Sequence, residues 1–97
     1  MLHSFGNGSD GQLPVADLLN VKGTLYGTTQ LGGTSNAGTV FEMASGTGAE
    51  SVVYSFQSSG GDGTEPVAGL INVKGNLYGT TNTGGANGGG TVFEVAP

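Results

Sequence analysis

Few side chains in this sequence are of the types that carry out chemistry, and they are scattered along the chain. His3 is the only histidine, and cysteine is absent. A histidine that acts as a general base or a metal ligand needs partner side chains, and the sequence displays none for His3. We therefore interpret His3 as a strand residue that faces the surface of a sheet.

Asp10 and Asp62 are the next candidates, because both lie in connectors rich in Gly and Ser. Together with Asn7, Ser9 and Glu65 they offer oxygen atoms of the kind that bind Ca²⁺. Their spacing matches neither an EF-hand loop nor a nonapeptide repeat, and Asp before Gly is common in turns. We predict no metal site and no cofactor.

Hydroxyl groups are frequent but do not form a catalytic motif. Thr28-Thr29, Thr80-Thr81 and Ser35 are candidate nucleophiles, yet no Gly-x-Ser-x-Gly motif or general base accompanies them. Threonine also favours strands, which explains these residues without chemistry. One histidine and seven carboxylates per chain are few for an active site. We expect no catalytic residues and no enzymatic activity.

Asparagines in two glycine-rich loops are the candidates for ligand binding. Asn36 lies in the loop 30–38, whereas Asn82 and Asn87 lie in the loop 82–90. Their amides suit sugar hydroxyls, but sugar sites usually stack an aromatic ring on the ligand, and neither loop contains one. A multivalent, lectin-like carbohydrate-binding protein is therefore the alternative function, and titration with simple sugars tests it.

These residues lie in a sequence that contains two copies of one repeat. Asn20-Val-Lys-Gly-Thr-Leu-Tyr-Gly-Thr-Thr29 returns as Asn72-Val-Lys-Gly-Asn-Leu-Tyr-Gly-Thr-Thr81, and 21 of 31 aligned positions in 14–44 and 66–96 are identical. Glycine after lysine permits the positive φ of a tight turn, so each copy predicts a β-hairpin. The chain is one two-repeat unit over 1–97, with repeat 1 at about 2–52 and repeat 2 at about 53–97.

Apolar residues between the turns predict short strands, and no window has the apolar spacing of a helix. The predicted strands lie near 2–5, 17–21, 24–29, 39–43, 51–56, 69–73, 76–81 and 91–95. Four short antiparallel strands per repeat, at a period of about 50, indicate β-propeller blades. A seven-stranded sandwich leaves the repetition unexplained, and a parallel solenoid fits the tight hairpin poorly. We predict an all-β fold with two four-stranded antiparallel blades per chain.

The composition limits the partners. The formal net charge is −5 and only two residues are basic, so an electrostatic basis for binding nucleic acid or an anionic membrane is lacking. No stretch approaches membrane-spanning length, and the first residues lack the basic and apolar regions of a signal peptide. The sequence leaves the cellular location open.

A longer motif resembles a known repeat. Gly-Asn-Leu-Tyr-Gly-Thr-Thr, then Gly-Gly, Gly-Thr-Val-Phe-Glu and Tyr-Ser-Phe, with Asp-Gly and Pro before the next unit, is similar to the Gloeo/Verruco (GloVer) tandem-repeat family. The resemblance covers essentially the whole chain, twice. It implies a propeller-forming repeat of exported or cell-surface bacterial proteins that has no established activity. Because only two repeats are present, we interpret the chain as an excised or engineered piece, or as a miniature relative.

Two blades alone leave apolar faces uncovered, so we expect copies of the chain to associate head to tail into a closed propeller. A trimer with six blades is favoured, and a tetramer with eight is next. Tyr26, Tyr78, Phe41 and Phe93 are predicted to be largely buried at equivalent places.

The second blade lacks a fourth strand in the sequence, and strand 2–5 of a neighbouring copy is the predicted replacement. The residues predicted to make this contact are Leu2, His3, Ser4, Phe5, Thr91, Val92, Phe93, Glu94 and Val95. The leading hypothesis is thus a non-enzymatic structural module that assembles with itself.

Overall fold

The structure is a computed structural model that describes residues 3–6, 10–57 and 62–97. These residues form β-strands and turns and include no helix, which confirms the all-β prediction. The strands are β1 (Gly11–Gln12), β2 (Leu19–Val21), β3 (Thr24–Thr29), β4 (Leu31–Gly32), β5 (Thr39–Ala44), β6 (Glu50–Ser55), β7 (Gly63–Pro66), β8 (Ile71–Val73), β9 (Asn76–Gly84) and β10 (Thr91–Val95). Within the described ranges, no helix is long and apolar enough to cross a membrane.

Sheet one consists of four antiparallel strands in the order β2-β3-β5-β6. Lys22 and Gly23 connect its first two strands, and their φ angles of 53° and 87° are the positive values that a type I′ turn requires. The side chain of Asn20 stabilises this turn, because its Oδ1 accepts a hydrogen bond from the Gly23 N–H at 2.9 Å. The predicted hairpin is confirmed.

Sheet two repeats the same meander with β8, β9 and β10. Leu19 pairs with Tyr26 in sheet one, and their repeat counterparts Ile71 and Tyr78 pair in sheet two. No described strand pairs with the outer edge of β10, where a counterpart of β6 belongs. The residues that the structure describes therefore form no closed propeller.

Short extra strands lie where we predicted only turn-rich connectors. Gly11 of β1 pairs with Gly32 of β4, and Gly63 of β7 pairs with Gly84 at the end of β9. A Cβ atom on Gly32 would lie only 2.6 Å from the backbone nitrogen of Gln12, so this close pairing requires glycine. Glycine-rich segments predict loops from local sequence, and this pairing arises from contacts between distant segments.

The predicted strand over 2–5 is not formed within the chain. His3, Ser4 and Phe5 belong to no sheet, and Leu2 lies outside the described residues. A strand needs a hydrogen-bonded neighbour, and no described strand pairs with this segment. Phe5 instead packs edge-on against Phe41, with ring centroids 4.9 Å apart.

The main core lies between the two sheets. The front face of sheet one carries Leu19, Val21, Tyr26, Thr28 and Val40, and the back face of sheet two carries Leu77, Phe93 and Val95. The apolar members of these faces form one cluster with Ala37, Val53, Phe56 and Leu70. The sheets therefore pack front to back.

The aromatic prediction is only partly correct. Tyr26 and Phe41 in sheet one are buried, whereas Tyr78 and Phe93 in sheet two are half-buried. Tyr78 lies on the front face of sheet two, which no third sheet covers. Phe93 lies on β10, beside the edge that lacks a fourth strand.

Candidate assembly interface

The front face of sheet two is an exposed apolar surface. It carries the repeat counterparts of the front face of sheet one, which are Ile71, Val73, Tyr78, Thr80 and Val92. Ile71, Tyr78, Thr80 and Val92 line a shallow depression of about 230 Å³. A contiguous apolar patch of this kind marks an interaction site in many proteins.

The same positions in sheet one are covered. Val40 has no exposed surface because sheet two packs over it, whereas its counterpart Val92 is 79% exposed. Thr28 shows the same contrast with Thr80, since Thr28 is buried and Thr80 is exposed. The front face therefore carries similar residues in both repeats, but it is part of the core in sheet one and exposed to solvent in sheet two.

The back face of sheet one shows the complementary contrast at the other end of the molecule. Leu70 is 5% exposed where it packs in the joint between the sheets, whereas its counterpart Leu18 is 51% exposed. Leu13 and Val15 are also exposed nearby in the sequence. Leu18 is therefore exposed at a position whose repeat counterpart is buried, although Phe41 and Met43 on the same back face are buried.

The assembly residues predicted on β10 form an open strand edge. Thr91 to Val95 pair with Leu77 to Thr81 of β9 on one side. On the other side no strand of the described chain follows. Glu94 points from β10 toward β9, where its Oε2 accepts hydrogen bonds from Asn76 Nδ2 at 2.9 Å and from the Tyr78 hydroxyl at 3.2 Å. This edge is open to pairing with another chain.

Backbone and hydroxyl groups add polar contacts to the joint between the sheets. The Thr28 hydroxyl donates a hydrogen bond to the Ala68 carbonyl at 3.3 Å. The Glu65 N–H donates to the Ala37 carbonyl at 2.8 Å. These bonds fix the register of one sheet on the other, which apolar packing alone leaves adjustable.

The asparagines predicted to bind a ligand do not form a single site. Asn36 Oδ1 accepts a hydrogen bond from the Gly32 N–H at 2.8 Å, so this oxygen stabilises its own loop. Asn82 lies near the end of β9, not in a loop as predicted, whereas Asn87 lies in the loop that follows, and both are exposed. No structural feature favours sugar binding at these residues, and carbohydrate binding stays a prediction.

The threonines considered as nucleophiles are structural in this fold. The Thr29 hydroxyl donates to the Leu31 carbonyl at 3.0 Å, accepts from the Thr39 N–H at 3.1 Å and lies 2.7 Å from the Thr39 hydroxyl. Thr81 and Thr91 repeat this arrangement in sheet two. Their oxygens are used to connect neighbouring strands.

Asp62, one of the two aspartates considered for Ca²⁺, stabilises its own connector. Asp62 Oδ1 accepts from the Gly63 N–H at 3.0 Å, and its Oδ2 accepts from the Tyr54 hydroxyl at 2.6 Å and the Gln57 N–H at 2.8 Å. The hydrogen bond to Asp62 raises the pKa of Tyr54. Glu65, whose φ is 57°, is not part of this cluster. Asn7 and Ser9 lie outside the described residues.

A second polar cluster, which the sequence did not predict, contains His3, Asp10 and Glu50. His3 Nε2 lies 2.8 Å from Asp10 Oδ2 and 3.9 Å from Glu50 Oε1. Burial and the nearby Asp10 charge raise the pKa of Glu50. Glu50 lies far from His3 in sequence, and its only sequence signal is its place in a stretch without a counterpart in repeat 2.

Comparison with known proteins supports the repeat assignment. A sequence model described as the Gloeobacter/Verrucomicrobia repeat matches residues 1–97. No curated protein and no solved structure matches the chain. The match covers both repeats and the connector between them, in agreement with the resemblance of the sequence motifs. The chain therefore belongs to the Gloeobacter/Verrucomicrobia repeat family.

Proposed function

We propose that the protein is a non-enzymatic structural repeat module whose function is to assemble with copies of itself into a β-propeller. The observation that carries this proposal is the contrast between Val40 and Val92, which occupy one repeat position but are fully buried and 79% exposed, respectively. A second copy that covers Val92 as sheet two covers Val40 would bury the bare surface. No new kind of contact is needed, because the joint within the chain already supplies it.

The partner surface is present on the same chain. The back face of sheet one, with Leu18 exposed, corresponds to the back face of sheet two, where Leu70 is buried in the joint. The front face of sheet two in one copy therefore fits the back face of sheet one in the next. Such a contact is heterologous, and it closes a ring when the rotation per copy divides a full turn.

The polar contacts of the joint have counterparts that are free to form between copies. The Thr28 hydroxyl donates to the Ala68 carbonyl within the chain. The corresponding intermolecular bond would join Thr80 of one copy to the carbonyl of Ala16 in the next. This bond would give the contact between copies the same sheet-on-sheet register as the contact within one chain.

In the proposed assembly, the N-terminal segment completes the second sheet of a neighbouring copy. In sheet one, Val40 of β5 pairs with Tyr54 of β6, and the Phe56 N–H donates to the Gly38 carbonyl at 2.9 Å. Repeat correspondence puts His3 of one copy opposite Val92 of another, next to the open edge of β10. Strand addition of this kind satisfies backbone groups that an open edge leaves unpaired.

Propellers usually have about 4–8 blades, so three copies giving six blades or four copies giving eight are the natural closures. We favour the trimer. A single copy would expose two apolar faces and one strand edge, and we expect it to be unstable or aggregation-prone.

The mass of the native particle, measured by light scattering and native mass spectrometry, tests the proposal. A stable monomer of 9.5 kDa at micromolar concentration would overturn it. Val92→Asp and Leu18→Asp should each abolish the ring, because every joint then contains one charged substitution in an apolar contact. Thr47→Asp, in the exposed turn before β6, is the control with the same charge change and should leave the mass unchanged.

Mixing the two disruptive variants tests the head-to-tail geometry. A Leu18→Asp copy retains an intact front face, and a Val92→Asp copy retains an intact back face. The mixture should therefore form a heterodimer through the one intact joint, although neither variant forms a ring alone. If Leu18→Asp dimerised by itself, the contact would be front to front and the proposed geometry would be wrong.

Removal of residues 1–5 tests the strand contribution separately. The truncated protein should lose the closed ring and form β-rich aggregates, because the β10 edge stays unpaired. A ring of unchanged mass after truncation would contradict the role of the N-terminal segment while leaving the face-to-face joint intact.

A further inference from the structure

We propose that His3, Asp10 and Glu50 form a binding site for a divalent transition-metal cation such as Zn²⁺. The sequence led us to expect no metal site, because His3 had no visible partners. The fold supplies these partners from a connector and from the start of β6. One ligand atom from each side chain can be chosen so that all three lie within 4.8 Å of one another.

A buried oxygen without a partner points to a missing ligand. Glu50 Oε2 is buried and has no hydrogen-bond partner among the described residues, and the Glu50 side chain is only 8% exposed. The Asp10 side chain is 9% exposed. Two carboxylates buried this closely are costly unless positive charge compensates them.

The protein itself offers little positive charge at this position. The only lysines, Lys22 and Lys74, lie in the exposed hairpin turns, and His3 is the one basic side chain of the described residues found close to these carboxylates. A divalent cation bound by both carboxylates and by the neutral form of an imidazole would supply the compensating charge. The charge of the site and the charge of the ion would then balance.

The donor set favours a particular class of metal. One imidazole nitrogen with two carboxylate oxygens suits Zn²⁺, whereas Ca²⁺ and Mg²⁺ take oxygen ligands. Tetrahedral ligands at Zn²⁺ bond lengths of about 2.0–2.1 Å lie about 3.3 Å apart. His3 Nε2 is 2.8 Å from Asp10 Oδ2 and 3.9 Å from Glu50 Oε1, so small side-chain rotations give this spacing. Water would complete the coordination.

The second repeat provides an internal comparison. Tyr54 and Asp62 occupy the places of His3 and Asp10, and the Tyr54 hydroxyl donates to Asp62 Oδ2 at 2.6 Å. In this cluster the Tyr54 hydroxyl and the Gln57 N–H both donate hydrogen bonds to the Asp62 carboxylate. Among the described residues no third ligand-type side chain joins Tyr54 and Asp62 in such a group, so the Asp62 cluster is a matched control.

Isothermal titration of the tag-free, EDTA-treated full chain with ZnCl₂ tests the proposal. One Zn²⁺ per chain is expected, and Ca²⁺ or Mg²⁺ should not compete. Glu50→Gln and His3→Gln should each weaken binding at least tenfold, whereas Asp62→Asn should bind as the wild type does. Circular dichroism in EDTA verifies that each variant is folded before its affinity is compared.

A single histidine makes a direct spectroscopic readout available. Nitrogen-resolved NMR of the imidazole should show that Zn²⁺ shifts the Nε2 resonance of His3 in the wild type and not in Glu50→Gln. The proposal is overturned if no stoichiometric binding occurs, or if Glu50→Gln and His3→Gln bind Zn²⁺ as tightly as the wild type. It is also overturned if Glu50→Gln stabilises the protein in EDTA and Zn²⁺ has no effect on the wild type, because a shared proton then explains the cluster. The stoichiometry per chain does not depend on ring formation, so failure here leaves the assembly proposal standing.

Discussion

The ring of Phe56 packs edge-on against the ring of Phe93, with centroids 5.0 Å apart and planes at 76°. This contact connects the end of β6 in the first repeat with β10 in the second. Phe5 contacts Phe41 in the same manner at 4.9 Å. The N-terminal segment therefore takes the position toward sheet one that the end of β6 takes toward sheet two.

Phe56→Ala should lower the free energy of unfolding by about 3–5 kcal/mol, because it removes a fully buried ring from the core between the sheets. Phe5→Ala should cost less, since Phe5 is only half-buried. Urea unfolding followed by circular dichroism measures both values. Equal losses for the two variants would contradict the argument that the greater burial of Phe56 makes its loss more costly.

Gly27→Ala should destabilise the protein by about 1–3 kcal/mol through overpacking. A Cβ atom at this position would lie 2.7 Å from the Phe41 ring and 2.9 Å from the Leu18 side chain. Gly46→Ala is the control, because nothing lies within 4 Å of its Cβ position. Thermal unfolding of the two variants should show a lower melting temperature only for Gly27→Ala, and a matching decrease for Gly46→Ala would argue against a steric cause.

Thr29→Val should cost about 1–3 kcal/mol although it preserves the shape of the side chain. The substitution removes the hydroxyl that accepts the Thr39 N–H and donates to the Leu31 carbonyl, and both threonines are completely buried. Thr81→Val, the same change in the less buried second repeat, should cost less. Denaturant unfolding checks the order, and an unaffected Thr29→Val variant would show that the hydroxyl is dispensable.

Tyr54 should ionise above the usual range for tyrosine, because its hydroxyl donates a hydrogen bond to the Asp62 carboxylate and the pKa of Tyr54 is thereby raised. The folded protein holds this proton more tightly than the unfolded chain does. The resulting stability is complete below about pH 10 and is lost as the pH rises through the raised pKa.

An ultraviolet absorbance titration measures this pKa. Asp62→Asn should bring the Tyr54 pKa down toward its ordinary value, and Tyr54→Phe should make stability above about pH 10 less dependent on pH. Glu94→Gln is the control, because Glu94 raises the pKa of Tyr78 and does not contact Tyr54. A titration curve that Asp62→Asn leaves unchanged would contradict the assignment.

The sequence by itself determined the features that depend on neighbouring residues. The Lys22-Gly23 turn, the strand at 24–29 and their copies in repeat 2 follow from local turn chemistry and alternation. The structure has both turns and the strand at 24–29 as predicted, whereas the strand predicted at 76–81 continues to Gly84. The duplication also indicated that the two repeats share one strand order, and β8, β9 and β10 repeat the pairing of β2, β3 and β5.

Tertiary structure alone decided which surfaces are covered and which distant side chains meet. Val40 and Val92 stand in nearly identical local sequences, and only the packing of sheet two makes one of them core and leaves the other exposed. The short β1 and β7 pairings arise in glycine-rich segments whose local sequence predicts loops. His3 and Glu50 come together because the fold brings the N-terminal segment close to the start of β6, and local sequence does not predict contacts between segments so far apart in the chain.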